Sequence, residues 1–213
     1  MSDPAKRDIL ISKALSYLLR HGAVKERLPI DKNGFISIST ILQNNRLKTH
    51  KTTVQDIHRI VETNEKKRFT IKVINDREHI CANQGHSLKT VKQDDQILTP
   101  LTEDDSFPEQ LIHGTTHAKL KLILQSGGLS KMNRNHIHFT SILENQGVEV
   151  SGLRSFSTVL IFLDLEKIKR DKDTVKFYKS LNNVYLTGGD ANGVLSKEYF
   201  GKIIDRKTGI AIQ

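Results

Sequence analysis

Residues 53–82, TVQDIHRIVETNEKKRFTIKVINDREHICA, decide the fold of the first half, because they place a capped amphipathic helix directly before a β-hairpin. Thr53 with Asp56 three residues later has the pattern of a capping box, which predicts where the helix starts. The apolar stripe of this helix consists of Val54, Ile57, Ile60 and Val61. Alternating apolar residues predict the two strands, a first one with Phe69, Ile71 and Val73 and a return strand with Ile80 and Ala82.

Two more helices are predicted upstream of this stretch. The first opens at Asp3-Pro4, with aspartate as the N-cap and proline at the first helical position, and it ends in Leu18-Leu19-Arg20-His21-Gly22. A turn at 31–34 and an extended segment at 35–38 lead to a second helical stretch, from Ser39 to about Asn45. Three helices followed by a hairpin is the order of a winged helix, an architecture that usually binds nucleic acid.

The second half reads as a strand-rich α+β unit. An apolar strand at 111–112 ends in the polar turn 113–115, and a helix is predicted from His117 to Ser126. Strands are predicted at 136–140, 183–187 and 199–205. The continuous apolar run 159–163 is typical of a strand covered on both faces.

Charge divides the chain in the same way as the predicted elements. Residues 1–92 carry 18 Lys and Arg against 9 Asp and Glu, whereas residues 93–213 carry 15 of each. The segment 93–108 has five acidic residues, no Lys or Arg, and two of the four prolines. We therefore predict a basic lobe at 1–92 that meets a polyanion, an acidic linker at 93–108, and a second lobe at 109–213.

Composition narrows the class of protein. No run of 18 apolar residues indicates a membrane span, and no apolar N-terminal leader indicates secretion. The single cysteine, Cys81, excludes an internal disulfide and a cysteine-rich zinc site. We expect a soluble intracellular protein, without a membrane partner and with no apolar patch that argues against a monomer.

The segment 18–22 has two interpretations. Arg20 and His21 are neighbours on a helix and point about 100° apart, so they could hold one ligand from two sides. The same residues suit an ordinary helix C-terminus, where the helix dipole favours Arg and His and Gly22 supplies a left-handed cap. The corner 85–87 after the hairpin is similarly open, since it suits both a ligand-lining loop and a simple turn.

Three chemistries compete for the remaining polar residues. Two histidine pairs, His113 with His117 and His136 with His138, have metal-ligand spacings, but no carboxylate or cysteine accompanies either pair. A hydrolase is disfavoured because no nucleophile elbow is present. Phosphate binding by cations alone remains, and its candidate residues are Arg20, His21, Arg68 and Arg134.

Six sequence blocks together resemble the tRNA 2′-phosphotransferases, which are NAD-dependent enzymes that remove the 2′-phosphate left at a tRNA splice junction. The resemblance runs from about residue 9 to residue 187 and is greatest to the fungal enzymes. The blocks are residues 15–21 (LSYLLRH), 68–69 (RF), 84–87 (QGHS), 113–115 (HGT), 132–138 (MNRNHIH) and 180–186 (SLNNVYL). Bacterial members often have Arg at the position of Cys81, so a ligand contact from that position is not carried over.

This resemblance implies a winged-helix RNA-binding lobe joined to an ADP-ribosyltransferase-like lobe that binds NAD. It implies 2′-phosphorylated RNA or tRNA and NAD as partners, no metal, and action in the cytoplasm or nucleus. The family's catalytic set falls on Arg20, His21, Arg68 and Arg134. The residues expected to bind NAD are His113, Gly114, Thr115, His138, Arg154 and Asn183. The residues expected to contact RNA are Lys66, Lys67, His86 and Ser87.

The implied reaction has two steps. The 2′-phosphate attacks NAD with release of nicotinamide, and the ribose 2″-OH of the RNA-2′-phospho-ADP-ribose intermediate then attacks phosphorus. The products are RNA with a 2′-OH and ADP-ribose 1″,2″-cyclic phosphate. His21 is the expected general acid or base of the second step, with charge stabilisation alone as the alternative.

Overall fold

The computed structural model describes residues 4–143 and 151–212. Contacts divide the chain into two compact units, Met1–Ile97 and Leu98–Gln213. Both units combine helices with antiparallel sheets, which confirms the α+β class. That the first unit is a winged helix and the second an ADP-ribosyltransferase-like lobe stays a prediction. No helix in the described ranges is long and apolar enough to cross a membrane.

The first unit alternates helices with a three-stranded sheet. Its helices are α1 (Pro4–Tyr17), continued by a π-helical turn (Leu18–Gly22), α2 (Ile38–Ile41), α3 (Asn45–Lys48) and α4 (Val54–Thr63). Its strands are β1 (Ile36–Ser37), β2 (Phe69–Ile74) and β3 (Arg77–Ala82), in the order β1-β3-β2. The predicted hairpin is confirmed, with Phe69 opposite Ala82 and Ile71 opposite Ile80. The proposed N-cap Asp3 lies outside the described residues.

The core of the first unit is built from the apolar stripes that the sequence predicts. Ile11, Leu15 and Leu18 on the first helix are fully buried against Ile57 of α4 and Ile80 of β3. The predicted second helix, 39–45, is instead two short helices. Asn44 interrupts it, because its side chain accepts a hydrogen bond from the Arg46 amide at 3.0 Å and caps α3.

Gly22 is the last residue of the π turn but does not lie in the left-handed region, so the predicted left-handed cap at this residue is wrong. The chain passes through Gly22 as part of the π turn, and the residue in the left-handed region is Arg27, with φ of 55°. Leu28 N–H donates to the Ala23 carbonyl and Arg27 N–H to the Val24 carbonyl, which is the Schellman pattern. Gly22 is needed for another reason, since a Cβ there would collide with the Tyr17 ring.

Asp56 forms ion pairs with two arginines of the first unit and also caps α4. The predicted capping box is confirmed, since Thr53 Oγ1 accepts from the Asp56 amide and Asp56 Oδ2 accepts from the Thr53 amide. The same carboxylate accepts two hydrogen bonds from Arg7, at 2.9 and 2.6 Å, and one from Arg59 at 2.7 Å. The Asp56 residue is 6% exposed. These bonds join α1 to the first turn of α4.

In the part of the second unit that the structure describes, the strands form three sheets. Its strands are β4 (Leu98–Pro100), β5 (Ile112–Thr115), β6 (Gly128–Ser130), β7 (Ile137–Phe139), β8 (Val159–Leu163), β9 (Phe177–Ser180), β10 (Tyr185–Thr187), β11 (Val194–Ser196) and β12 (Phe200–Asp205). The sheet orders are β4-β9-β10-β7, β11-β6 and β12-β8-β5. The helices are α5 (His117–Gln125) and α6 (Leu165–Arg170), with 3₁₀ turns at Asp104–Ser106 and Lys197–Tyr199. Every residue of β8 is buried, as the apolar run predicts.

The segment 93–108, predicted as a linker, carries ordered structure. Leu98–Pro100 form β4, which pairs with β9, and the division between the units falls between Ile97 and Leu98. Leu98, Leu101 and Phe107 are buried, while the acidic residues between them lie on the surface or are partly exposed. The acidic residues of this segment led to the prediction of a linker, although these apolar residues belong to the second unit.

Candidate active site

Arg20 and His21 lie in the π turn that continues α1. A π turn contains one more residue than an α turn, and such turns occur frequently at functional sites. The flanking Leu18 and Leu19 are fully buried, which anchors the turn to the core. Arg20 is half-buried and His21 is exposed. The structure thus places both residues on a helical element that is anchored in the core of the first unit.

The segment after β3 packs against this turn. The Ser87 amide donates to the Arg20 carbonyl at 2.9 Å, and Ser87 Oγ lies 2.9 Å from His21 Nδ1. Gly85 has φ of 91°, and a Cβ on it would lie 3.3 Å from Arg20 Nε. The Arg20 side chain therefore crosses the surface that a glycine leaves open. The corner 85–87 therefore packs against Arg20 and His21, and its interpretation as a ligand-lining loop stays a prediction.

Arg68 is held at the start of β2 by two asparagines. Asn64 Oδ1 accepts from the Arg68 amide at 3.1 Å and from Arg68 Nη1 at 3.2 Å. The Asn83 amide donates to the Arg68 carbonyl at 2.9 Å, and Asn83 Nδ2 donates to the Lys67 carbonyl at 2.7 Å. Residues 83 and 85 are only two apart, about 7 Å at most between their Cα atoms. One short segment thus contacts both Arg68 and Arg20.

The sequence did not indicate Asn64 or Asn83 as supporting residues. Asn64 ends α4 and lies four residues before Arg68, which is beyond the range of helical spacing rules because the helix has stopped. Asn83 is 2% exposed and also accepts from Thr70 Oγ1 at 2.7 Å. A buried asparagine next to a predicted strand end is a signal that could have been used, since buried amides are almost always hydrogen-bonded.

The four residues expected to contact RNA differ in exposure. Lys67 is exposed, with φ of 41°, and Lys66 and Ser87 are half-buried. His86 is only 3% exposed and packs on Gly34, where a Cβ would lie 2.9 Å from His86 Nε2. This burial argues against a direct RNA contact by the His86 side chain and favours a role in supporting the corner.

Arg134 of the second unit is influenced by the charge of a second arginine, Arg154. Arg134 is half-buried and lies in the loop before β7, where its amide donates to the Lys131 carbonyl at 3.1 Å. Burial, and secondarily the positive charge of Arg154, lower the pKa of the Arg134 guanidinium. Within residues 4–143 and 151–212, no carboxylate forms a salt bridge with Arg134. A partly buried cation beside a second cation is a favourable environment for an anion.

His113 is a neutral imidazole with a defined tautomer. Burial lowers its pKa, and the charge of Arg154 lowers it further. Its Nδ1 lies 2.9 Å from the His138 carbonyl oxygen, which can only accept, so Nδ1 carries the proton. Nε2 therefore keeps a lone pair that can accept a hydrogen bond. The ring is fixed further by an edge-on contact with Phe139, at 5.8 Å between centroids.

The residues beside His113 are positioned by packing. The segment 113–115 forms the end of β5 rather than the predicted turn, paired with β8. A Cβ on Gly114 would collide with Leu153 and lie 2.6 Å from Ser157 Oγ, so glycine is required at this position. Thr115 is buried, and its carbonyl accepts from the Thr158 amide at 2.8 Å. Asn183 is exposed in the β9–β10 turn, with φ of 58°.

The two histidine pairs do not form a recognisable metal centre in the part of the chain that the structure describes, where no group of three His, Cys, Asp or Glu could hold an ion. His117 instead bonds Asp205 at 2.8 Å. Burial and the charge of Lys131 lower the pKa of His136 to about 4. The centres of the His136 and Tyr178 rings are 6.2 Å apart. His138 is partly exposed in β7 between the buried Ile137 and Phe139.

Comparison with known proteins connects these residues to one family. A family model described as RNA 2′-phosphotransferase, Tpt1 / KptA family, matches residues 6–189. The chain is 52% identical to the tRNA 2′-phosphotransferase of Saccharomyces cerevisiae, over 85% of this chain and 79% of the yeast protein. It is 37% identical to tRNA 2′-phosphotransferase 1 of Danio rerio, over 92% of this chain and 85% of the fish protein. The corresponding human protein is also 37% identical, over 91% of this chain and 74% of the human protein.

The greater identity to the yeast protein confirms the predicted resemblance to the fungal enzymes. The matched range contains all six sequence blocks, including the cations of the π turn, Arg68 and the Arg134 loop. With the family model spanning both units and relatives of 37% identity or more covering most of the chain, this chain belongs to the RNA 2′-phosphotransferase family.

Proposed function

We propose that this protein transfers the 2′-phosphate of RNA, as left at the splice junction of a ligated tRNA, to NAD. The observation that carries the proposal is the half-buried Arg134, which has Arg154 nearby and no carboxylate bonded to it among the described residues. Partly buried cations of this kind suit a substrate that brings negative charge with it. The proposed tRNA substrate also favours an intracellular location, in the cytoplasm or nucleus, and we expect the protein to act as a monomer.

The chemistry of a 2′-phosphate explains why cations rather than a catalytic carboxylate are needed. A phosphate monoester has a second pKa near 6, so at pH 7 it is largely a dianion and attacks without a general base. Nicotinamide leaves NAD as a neutral molecule, so the first step needs no general acid. The remaining task is to orient two polyanions, and arginine forks match phosphate oxygens bidentately.

The first unit supplies three of the residues that we assign to the phosphate. Arg20 and His21 come from the π turn and Arg68 from the base of the hairpin, and all three are fixed by the segment 83–87 or by Asn64. Preorganised donors of this kind stabilise developing charge without a reorganisation cost at the moment of reaction. We assign Arg134 to the same reaction, as the fourth cation.

The second unit contains groups that fit NAD. Neutral His113 offers Nε2 as an acceptor for a ribose hydroxyl, because its Nδ1 donates to the His138 carbonyl. Arg154 is exposed and lies with its guanidinium 5.6 Å from the centre of the Phe156 ring. A diphosphate and an aromatic base would suit this combination of charge and apolar surface. Gly114, Thr115, His138 and Asn183 complete the proposed NAD-binding set.

The proposed reaction balances in two steps. A 2′-phosphate oxygen forms a bond to C1″ of the nicotinamide ribose while the bond to nicotinamide breaks. The ribose 2″-OH then attacks phosphorus, loses its proton, and expels the RNA 2′-oxygen, which gains one. His21, next to the bound phosphate in this proposal, could move that proton, and charge stabilisation by the three arginines is the alternative. The products are RNA with a 2′-OH and ADP-ribose 1″,2″-cyclic phosphate.

An assay with a 2′-phosphorylated oligonucleotide tests this function. The purified protein is incubated with the oligonucleotide with and without NAD, and with EDTA in a parallel reaction. We expect phosphate removal only with NAD, unaffected by EDTA, together with one nicotinamide released per phosphate removed. Removal without NAD, or inhibition by EDTA, would refute the proposal. Inhibition by EDTA would indicate a metal-dependent phosphoesterase, and binding without turnover would indicate a non-catalytic RNA-binding protein.

Lys66 and Lys67 are expected to attract the RNA backbone. Replacing both with glutamate should weaken RNA binding and reduce the dependence of affinity on salt by about 1 to 2 in the slope of log K against log salt. The measurement is a titration of fluorescent 2′-phosphorylated RNA at several salt concentrations. The variant Lys119→Glu/Lys121→Glu, on exposed positions of α5, makes the same charge change and serves as the control. An unchanged slope would reduce the lysine pair to ordinary solvated charges.

A further inference from the structure

We propose that Ser87 is a positioning residue for His21, which fixes the orientation and tautomer of the imidazole for the second step of the reaction. This inference rests on the proposed function. It assigns Ser87 a role that differs from the RNA contact that the family resemblance implies. The chemistry concerned is a proton transfer through His21 Nε2 to or from the substrate.

Two hydrogen bonds connect Ser87 to the π turn, one from its main chain and one from its side chain. The Ser87 amide donates to the Arg20 carbonyl at 2.9 Å, a backbone bond that any residue except proline could make. Ser87 Oγ lies 2.9 Å from His21 Nδ1, a bond that needs the hydroxyl. A change of the side chain alone therefore removes the ring contact and leaves the backbone contact in place.

The hydrogen bond between the serine hydroxyl and Nδ1 leaves Nε2 of His21 as the atom that exchanges a proton with the substrate. A hydroxyl has one hydrogen and two lone pairs, so Ser87 Oγ can accept from Nδ1–H or donate to a bare Nδ1. In this proposal Ser87 Oγ accepts, because only this arrangement is kept when the ring becomes protonated. With the proton on Nδ1, a neutral His21 presents the Nε2 lone pair to the 2″-OH. The imidazolium that results presents Nε2–H to the departing RNA 2′-oxygen. The ring can thus take up and release a proton without turning.

The surroundings support a fixed ring rather than a mobile one. The main chain of His21 is held in a π turn whose neighbours Leu19 and Gly22 are buried. Ser87 is half-buried and follows Gly85 and the buried His86. A hydrogen bond between two anchored segments costs less side-chain entropy than a bond between free side chains.

The test compares Ser87→Ala with Ser87→Thr, which keeps the hydroxyl, and with Thr90→Ala as a nearby exposed control. The first readout is the ¹⁵N chemical shifts of the His21 ring nitrogens across pH, measured without any substrate. We expect wild type and Ser87→Thr to hold the neutral proton on Nδ1. In Ser87→Ala the proton should move toward Nε2.

The second readout separates the two steps of the reaction. General acid–base catalysis contributes about 10²- to 10⁴-fold, and misorientation of His21 should forfeit about 10-fold of it. Ser87→Ala should therefore slow the second step about 10-fold and accumulate RNA-2′-phospho-ADP-ribose. Nicotinamide release and the KM for RNA should change by less than about 2-fold.

The outcomes separate this inference from the proposed function. Unchanged ring shifts in Ser87→Ala would overturn the positioning role whatever the activity. A raised KM for RNA without accumulated intermediate would overturn it in favour of direct RNA contact. A wild-type protein that fails to consume NAD would refute the proposed function, while the ring shifts would still report whether Ser87 sets the tautomer.

Discussion

Replacing Arg134 with alanine is expected to reduce phosphate transfer by at least about 10²- to 10³-fold, the usual loss when one charge-stabilising donor is removed. The guanidinium lies half-buried in the loop before β7, and burial together with Arg154 already disfavours its charged form. A cation kept under such conditions gains stability from an anionic ligand, so its removal should cost the protein activity rather than stability. The measurement is the single-turnover rate with 2′-phosphorylated RNA and saturating NAD.

Two further variants make this result interpretable. Arg134→Lys keeps the charge but lacks the planar fork, so it should recover only part of the rate. Arg170→Ala removes an exposed arginine from α6 and should leave the rate unchanged. Circular dichroism should show the same helix and strand content for all three. Turnover by Arg134→Ala at the wild-type rate would mean that the assignment of Arg134 is wrong.

Replacing Asp56 with asparagine is expected to lower the free energy of unfolding of the first unit by about 2 to 3 kcal/mol. Removing one partner of a buried ion pair costs about 3 to 5 kcal/mol, and the partial exposure of the arginines reduces this. Asparagine keeps the size of the side chain and one carbonyl oxygen, so the loss isolates the charge that binds Arg7 and Arg59. Urea unfolding at pH 7 measures the difference.

The same substitution should make stability less sensitive to acid. The hydrogen bonds from Arg7, first among several causes, hold the pKa of Asp56 well below its ordinary value. A carboxylate with a lowered pKa stabilises the folded state above its unfolded pKa, near 4, and this contribution is lost as the pH falls further. Wild type and Asp56→Asn should therefore converge below about pH 4. Asp8→Asn, which affects only the exposed pair with Arg59, should cost less than about 1 kcal/mol.

A stability difference between wild type and Asp56→Asn that stays constant from pH 7 to pH 3 would contradict this account. It would assign the loss to the capping box rather than to the ion pairs, since the caps depend less on charge. The comparison with Asp8→Asn then indicates whether Arg59 needs both of its acidic partners.

Much of the first unit could be predicted because its signals are local. The capping box at Thr53 and the alternation through Phe69 and Ile71 depend on residues within one turn or one strand, and both predictions are confirmed. In the second unit, the buried run 159–163 and the helix that starts at His117 were found for the same reason.

The differences between prediction and structure arise where a contact from elsewhere in the chain overrides the local pattern. Gly22 suits a helix cap by composition, but the ring of Tyr17 and the Schellman bonds at Arg27 decide otherwise. The acidic segment 93–108 reads as a linker, yet Leu98 pairs with Ser180 of a strand that lies far along the chain. Such pairings have no signature within a single segment.

The candidate site shows the same limit. Residue types and family blocks identified Arg20, Arg68 and Arg134, because arginine is a recognisable choice for phosphate. The two asparagines that hold Arg68, Asn64 and Asn83, carry no such mark, and their hydrogen bonds to Arg68 depend on a turn that only the fold creates. The assignment of each side chain to RNA or NAD stays a prediction.

The burial of the only cysteine has a consequence for how unfolding can be followed. Cys81 is fully buried in β3, opposite Thr70 of β2, and burial raises the pKa of its thiol to about 12. A buried, protonated thiol in the hairpin does not react with maleimides or disulfide reagents, which need the thiolate. Since the chain has one cysteine, each labelled molecule records a single opening event of this hairpin. Labelling kinetics would thus time the opening of the first unit while leaving the second unit silent.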